Sequence, residues 1–149
     1  MGNHRLNVLF VCSGNICRSP LAAALLSKNL SALGIENVFV ESAGTMDLEG
    51  RGASRSALEV AADNGLDLSH HASRQVNESM LEGTDIVVAM TEAHAAYMAE
   101  VLPGIRKRTI VLDVPDPYGL QKQTYEVVFA MIQEATPSIV DEVRAKLGE

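Results

Sequence analysis

Residues Asn7–Cys12 read Asn-Val-Leu-Phe-Val-Cys, an apolar, β-branched run with no polar alternation. Such a strand is buried on both faces. A sheet covered by helices on both sides offers that environment. The next segment, Ser13–Ser19, is polar, and a helical stretch opens at Pro20 with Ala22, Leu26, Leu30 and Leu33 on one stripe. Ser19 is its predicted N-cap, Pro20 suits the first helical position, and Gly34 closes it as the C′ residue.

The pattern then repeats. Val38–Ser42 is a second strand, Ala53–Asn64 a helix ended by Gly65, and Asp85–Met90 a third strand. Thr91–Leu102 is a helix stopped before Pro103-Gly104, and Thr109–Leu112 a short fourth strand. Tyr125, Val128, Phe129 and Ile132 mark one face of a final helix, which Ile139, Val140, Val143 and Leu147 continue. A break or kink is expected near Pro137. Strand–helix alternation predicts an α/β fold: a four-stranded parallel sheet with helices on both faces. The 149 residues contain no repeat and no Ser/Gly-rich linker, so one domain over 1–149 is expected.

Bulk properties narrow the functions. A net charge of −7 disfavours a nucleic-acid partner. No apolar run approaches the roughly 18 residues that cross a bilayer, and no membrane partner is expected. The start, MGNHRLNVLFVCSG, lacks a signal-peptide cleavage site, and Leu6 stands where a myristoylation pattern after Gly2 wants Ser or Thr. A cytoplasmic location is the expectation. The two cysteines, Cys12 and Cys17, share one loop, which rules out a disulfide framework. His70 and His71 have no further ligand pattern nearby, so neither metal nor cofactor is expected. His4, His94 and Tyr97 read as surface or core residues.

The loop Cys12-Ser13-Gly14-Asn15-Ile16-Cys17-Arg18-Ser19-Pro20 joins the first strand to the first helix. In folds of this class the carboxyl ends of the strands hold the ligand. A helix N-terminus aims N–H groups and a positive dipole end at such a loop, an arrangement that favours anions and a thiolate. Cys12 can then act as a nucleophile. Arg18 offers a planar fork for two phosphoryl oxygens. Gly14 and Asn15 tolerate backbone angles that most side chains forbid, and the five residues between Cys12 and Arg18 suffice to curl around one phosphate. The Ser19 hydroxyl can donate to the Cys12 sulfur. Ser13, Gly14, Asn15, Ile16, Cys17, Arg18 and Ser19 are therefore the predicted phosphate-binding set. A nucleotide-binding loop of the Walker type is excluded, because no second Gly is followed by Lys-Ser/Thr.

The segment FVCSGNICRSPLA resembles the signature of the low-molecular-weight protein tyrosine phosphatase family. The similarity continues through Ser42–Thr45 (SAGT), His71 with Arg74-Gln75, Ala89–His94 (AMTEAH) and Asp116-Pro117-Tyr118. The resemblance implies a cysteinyl-phosphate mechanism with Cys12 as nucleophile, Arg18 as phosphate ligand and Asp116 as general acid and then base. Pro115 and Pro117 stiffen the acid's loop; Asp113 reads as structural. The resemblance also implies that His71 and Ser42 brace the loop, His71 through Asn15, and that Leu48 and Tyr118 wall the pocket. It further implies a reversible Cys12–Cys17 disulfide, and a phosphotyrosine-bearing protein, such as a bacterial tyrosine kinase, as partner.

Three departures bear on substrate. Leu48 stands where tyrosine phosphatases commonly carry an aromatic residue, and Gly119 where some carry a second aromatic after Tyr118. Arginine phosphatases of the same family carry Thr at the position of Ile16. Ile16 therefore points to phosphotyrosine, while Leu48 and Gly119 pull toward phosphoarginine. Arsenate reduction on this scaffold needs further thiols, and only Cys17 remains besides Cys12.

Overall fold

The computed structural model describes residues 5–149; Gly2 and His4 lie outside them. Four strands, β1 (Leu6–Cys12), β2 (Val38–Gly44), β3 (Ile86–Ala89) and β4 (Thr109–Val111), form one sheet in the order β2-β1-β3-β4. All three pairings are parallel. The helices are α1 (Arg18–Ala32), α2 (Arg55–Asp63), α3 (Glu78–Glu82), α4 (Glu92–Val101) and α5 (Lys122–Leu147), with a 3₁₀ turn at Ile105–Arg108.

The period of two along β1 divides its side chains between two cores. Leu6, Val8, Phe10 and Cys12 join the apolar faces of α1, α2 and α5. Leu9 and Val11 join Leu81 of α3, Ala95 and Met98 of α4, and Ile105. Both cores need an apolar strand between them, which is why the first strand has no polar alternation. The edge strands β2 and β4 are only partly buried.

Several boundaries differ from the sequence reading. Helix α1 begins at Arg18, with Cys17 at the N-cap position. Ser19 is thus inside the first turn rather than the cap, and its hydroxyl serves the loop instead. Pro20 is the third helical residue, where a missing N–H still leaves no intrahelical bond unmade. Leu33 falls beyond the helix and is exposed. Gly34 adopts a left-handed φ of 71°, and Ile35 N–H donates to Leu30 O at 2.9 Å, closing the C-terminus.

Helix α5 runs through Pro137 without the expected break. The buried face is continuous on both sides, from Tyr125, Val128, Phe129 and Ile132 to Ile139, Val140 and Val143. That packing outweighs the loss of one backbone hydrogen bond. The short α3 was not foreseen, because one buried anchor, Leu81, sets no period.

The chain leaves β1 through α1 toward β2 on one side, and leaves β3 through α4 toward β4 on the other. The connections therefore diverge at the carboxyl ends of β1 and β3, which opens a crevice there. Cys12, the last residue of β1, stands at its edge.

Candidate active site

Between Cys12 and α1 the backbone turns around a point in front of the helix. Asn15 makes that turn with a left-handed φ of 60° and is fully buried. Its side chain holds the turn. Asn15 Nδ2 donates to Ser19 Oγ (2.8 Å) and Ser42 Oγ (2.9 Å), and Oδ1 accepts from the Arg74 N–H (3.1 Å). His71 Nε2–H donates to the Asn15 carbonyl at 2.6 Å. Strand β2 and the residues before α3 thus clamp the loop from behind. The N–H groups of Gly14, Asn15, Ile16 and Cys17 donate to no protein acceptor among the described residues. Unpaired N–H groups on a curled loop are an anion cradle.

The Cys12 sulfur is buried, 2.9 Å from Ser19 Oγ. Ser19 Oγ accepts from Asn15 and has one proton to give, for which the Cys12 sulfur at 2.9 Å competes with the Ala43 carbonyl at 3.4 Å. Arg18 is buried with its charge. Its Nη1 donates to Val114 O (2.9 Å), its Nη2 to Ser13 Oγ (3.3 Å), and Nη2 lies 3.8 Å from Asp116 Oδ2. Its Nε has no protein partner although it is fully buried. A buried unpaired donor is costly, so this edge of the fork fits an anion in the cradle.

Asp116 reaches the crevice because its loop is pinned at the root. Val114 N–H donates to Met90 O (2.7 Å) at the end of β3, and Asp113 takes a left-handed φ of 60° to allow it. Asp116 Oδ1 accepts from Tyr118 N–H at 3.0 Å, which fixes the carboxylate's direction, and the side chain remains half-exposed.

These groups line one cavity of about 160 Å³ with Ser13, Gly14, Ile16, Cys17, Met46, Leu48, Arg51 and Tyr118. The structure thus brings Cys12, Arg18 and Asp116 together, with Leu48 and Tyr118 at the walls and Ser42 and His71 behind the loop. Met46 and Arg51 were not visible in the sequence. They arrive because the segment after β2 wraps the loop: Thr45 N–H donates to Cys12 O and Met46 N–H to Ser13 O, both at 2.9 Å.

Cys17 is a buried free thiol, with Sγ 3.4 Å from Ser54 Oγ and 3.3 Å from Tyr125 OH. Burial pushes the Cys17 thiol pKa up, and burial together with the Cys17 contact pushes the Tyr125 phenol up to about 12. Both are neutral at physiological pH. His94 is a core residue that also touches the site, with Nε2 2.9 Å from Ser13 Oγ. Burial, helped by the Arg18 charge, lowers its pKa to about 4. Nothing in the sequence linked it to a loop 81 positions away.

Gly44 was likewise seen only as part of a motif. It pairs with Cys12 in the β1–β2 register. A Cβ there would lie 2.5 Å from Ser13 O and 3.0 Å from Asn15 N. Both are backbone atoms of the cradle, so the loop itself would have to move. Gly44→Ala is expected to lower kcat/KM about 10²-fold, the cost of displacing reacting groups by roughly 1 Å. Assay with an aryl phosphate checks this, and a variant within two-fold of the parent, roughly, would show that the loop does not rest on Gly44.

The family model for low molecular weight phosphotyrosine protein phosphatase matches residues 7–148. The chain belongs to this family. A relative from Escherichia coli (strain K12), the low molecular weight protein-tyrosine-phosphatase Etp, is 34% identical over 137 residues, covering 87% of this chain and 89% of Etp. Among solved structures, Wzb of Vibrio vulnificus in complex with benzylphosphonate superposes with a TM-score of 0.84 at 30% identity, covering 93% of this chain and 99% of that one. The YwlE arginine phosphatase from Geobacillus stearothermophilus superposes with a TM-score of 0.85 at 29% identity, covering 95% and 94%. The four-stranded parallel sheet, with the loop between β1 and α1, is thus the phosphatase fold expected from the sequence. No helix among the described residues is long and apolar enough to cross a membrane.

Proposed function

We propose that this chain, acting as one domain, hydrolyses phosphotyrosine on proteins. In the first step the Cys12 thiolate attacks phosphorus, the bond from phosphorus to the phenolic oxygen breaks, and Asp116 donates its proton to the leaving phenolate. In the second, water attacks the cysteinyl-phosphate, Asp116 takes the water's proton, and the phosphorus–sulfur bond breaks to release phosphate. Arg18 and the loop N–H groups hold the phosphoryl oxygens through both steps. The Ser19 hydroxyl stabilises the sulfur anion as it leaves. Ser42 and His71 hold Asn15, and Asn15 holds Ser19.

The observation that carries the choice of substrate is the wall of the cavity. Its lining includes the apolar or aromatic side chains of Ile16, Met46, Leu48 and Tyr118 beside Arg51, and among the described residues its one carboxylate is Asp116. A phenyl ring meets that wall without leaving a polar group unpaired. A phosphoarginine would bring several guanidinium N–H donors past Arg18 and Arg51 to a wall with a single carboxylate, and unpaired donors are expensive. The depth of Cys12, 2% exposed, further selects a long, flat phosphoester over phosphoserine.

Phosphotyrosine and phosphoarginine peptides of the same flanking sequence, assayed side by side, test the reading. The expected kcat/KM ratio is at least about ten-fold in favour of phosphotyrosine. A preference for phosphoarginine would overturn it and assign the smaller Leu48 and Gly119 to specificity.

A further inference from the structure

We propose that His94 is a positioning residue for Arg18, acting through the Ser13 hydroxyl. The proposal rests on the reading of Cys12–Ser19 as a phosphate cradle. His94 is the third residue of α4, on the β3 side of the crevice, opposite the cradle. Its Nδ1 lies 3.1 Å from the Thr91 backbone nitrogen. A backbone N–H only donates, so Nδ1 is the acceptor and the ring's proton sits on Nε2. That Nε2–H donates to Ser13 Oγ at 2.9 Å. The depressed His94 pKa, about 4, keeps the ring in this neutral form at physiological pH.

Ser13 Oγ therefore receives two donors, Nε2–H from His94 and Nη2–H from Arg18 at 3.3 Å. A free serine rotor could turn its own proton toward Arg18 and oppose one donor with another. The histidine prevents this by fixing Ser13 Oγ as an acceptor. The guanidinium is then held at both ends of its outer edge, by Val114 O on Nη1 and by Ser13 Oγ on Nη2. The inner edge, with the unpaired Nε, is left to the phosphoryl group. Asp116, 3.8 Å from Nη2, is the competing acceptor that would draw a loosened Arg18 outward. Coupling runs across the crevice from the β3–α4 junction to the β1–α1 loop.

Two variants separate this role from helix capping. In His94→Asn the amide occupies the place of Nδ1, which keeps the Thr91 contact and loses Ser13. In His94→Gln the amide reaches the place of Nε2, which keeps Ser13 and loses Thr91. The readouts are the dissociation constant of inorganic phosphate and the Tm. The Asn variant is expected to bind phosphate about five-fold more weakly at near-parental Tm, the worth of one neutral hydrogen bond. The Gln variant is expected to bind within about two-fold of the parent, whatever its Tm. In a Ser13→Ala background the Asn substitution is expected to cost nothing further. Parental affinity in His94→Asn, weakened affinity in His94→Gln, or an undiminished loss on the Ser13→Ala background would each overturn the proposal. Failure of the parent protein itself to bind phosphate would instead overturn the cradle.

Discussion

Cys12→Ser is expected to abolish turnover, by about 10⁴-fold or more, while phosphate binding survives. The exchange replaces a sulfur by an oxygen of similar reach, so the cradle and Arg18 remain. What is lost is the nucleophile's anion. A serine in a hydrolase needs a general base within hydrogen-bond reach, and among the described residues no histidine or carboxylate is hydrogen-bonded to the side chain at position 12. Its hydrogen-bond partner is Ser19, 2.9 Å away. The two nearby imidazoles are engaged elsewhere, His71 with the Asn15 carbonyl and His94 with Ser13. A thiol is by nature a far stronger acid and nucleophile than an alcohol. Hydrolysis of an aryl phosphate, read together with calorimetric binding of inorganic phosphate, checks both halves. Substantial residual turnover in the serine variant would remove Cys12 from the mechanism.

Arg18→Ala is expected to lose both functions. Its fork is the one buried positive charge at the cradle among the described residues, and removing a preorganised donor to a developing charge costs about 10²–10³-fold per contact. Two contacts place the fall in kcat/KM at about 10⁴-fold or more, with phosphate affinity falling more than about ten-fold. Arg18→Lys keeps the charge but not the planar fork, and rescue is expected to be partial at best. The substitution also leaves the Val114 carbonyl unpaired and a void at the start of α1, so Tm is measured alongside. A variant that folds and binds phosphate like the parent would mean that the backbone N–H groups alone form the site.

The sheet was readable from Asn7–Cys12 and Asp85–Met90, because a strand between two cores must be apolar on both faces. The chemistry was readable for a related reason. Nucleophile, turn residues, arginine and helix start all lie within Cys12–Pro20, and local geometry follows from local sequence. The helix start itself was misplaced by two residues. Ser19 has the right chemistry for a cap, and only the surrounding loop shows that its hydroxyl is taken by Asn15 and Cys12. Pro137 misled in the opposite direction, since propensity argued for a break and packing of the α5 face prevailed.

What the sequence alone determined is the cradle: Cys12 and Arg18 at a strand–helix junction in a doubly covered parallel sheet. What only the tertiary structure decided is the company they keep. Gly44, Met46, Arg51 and His94 come from other segments, and no period or spacing links them to the loop, whereas Asp116 was reached through its Asp-Pro-Tyr motif. They meet there because β1 lies between β2 and β3 and its C-terminal end faces the crevice where the connections diverge. Side chains from distant segments converge at that point through sheet order, which is a property of the packed chain and not of any stretch of it.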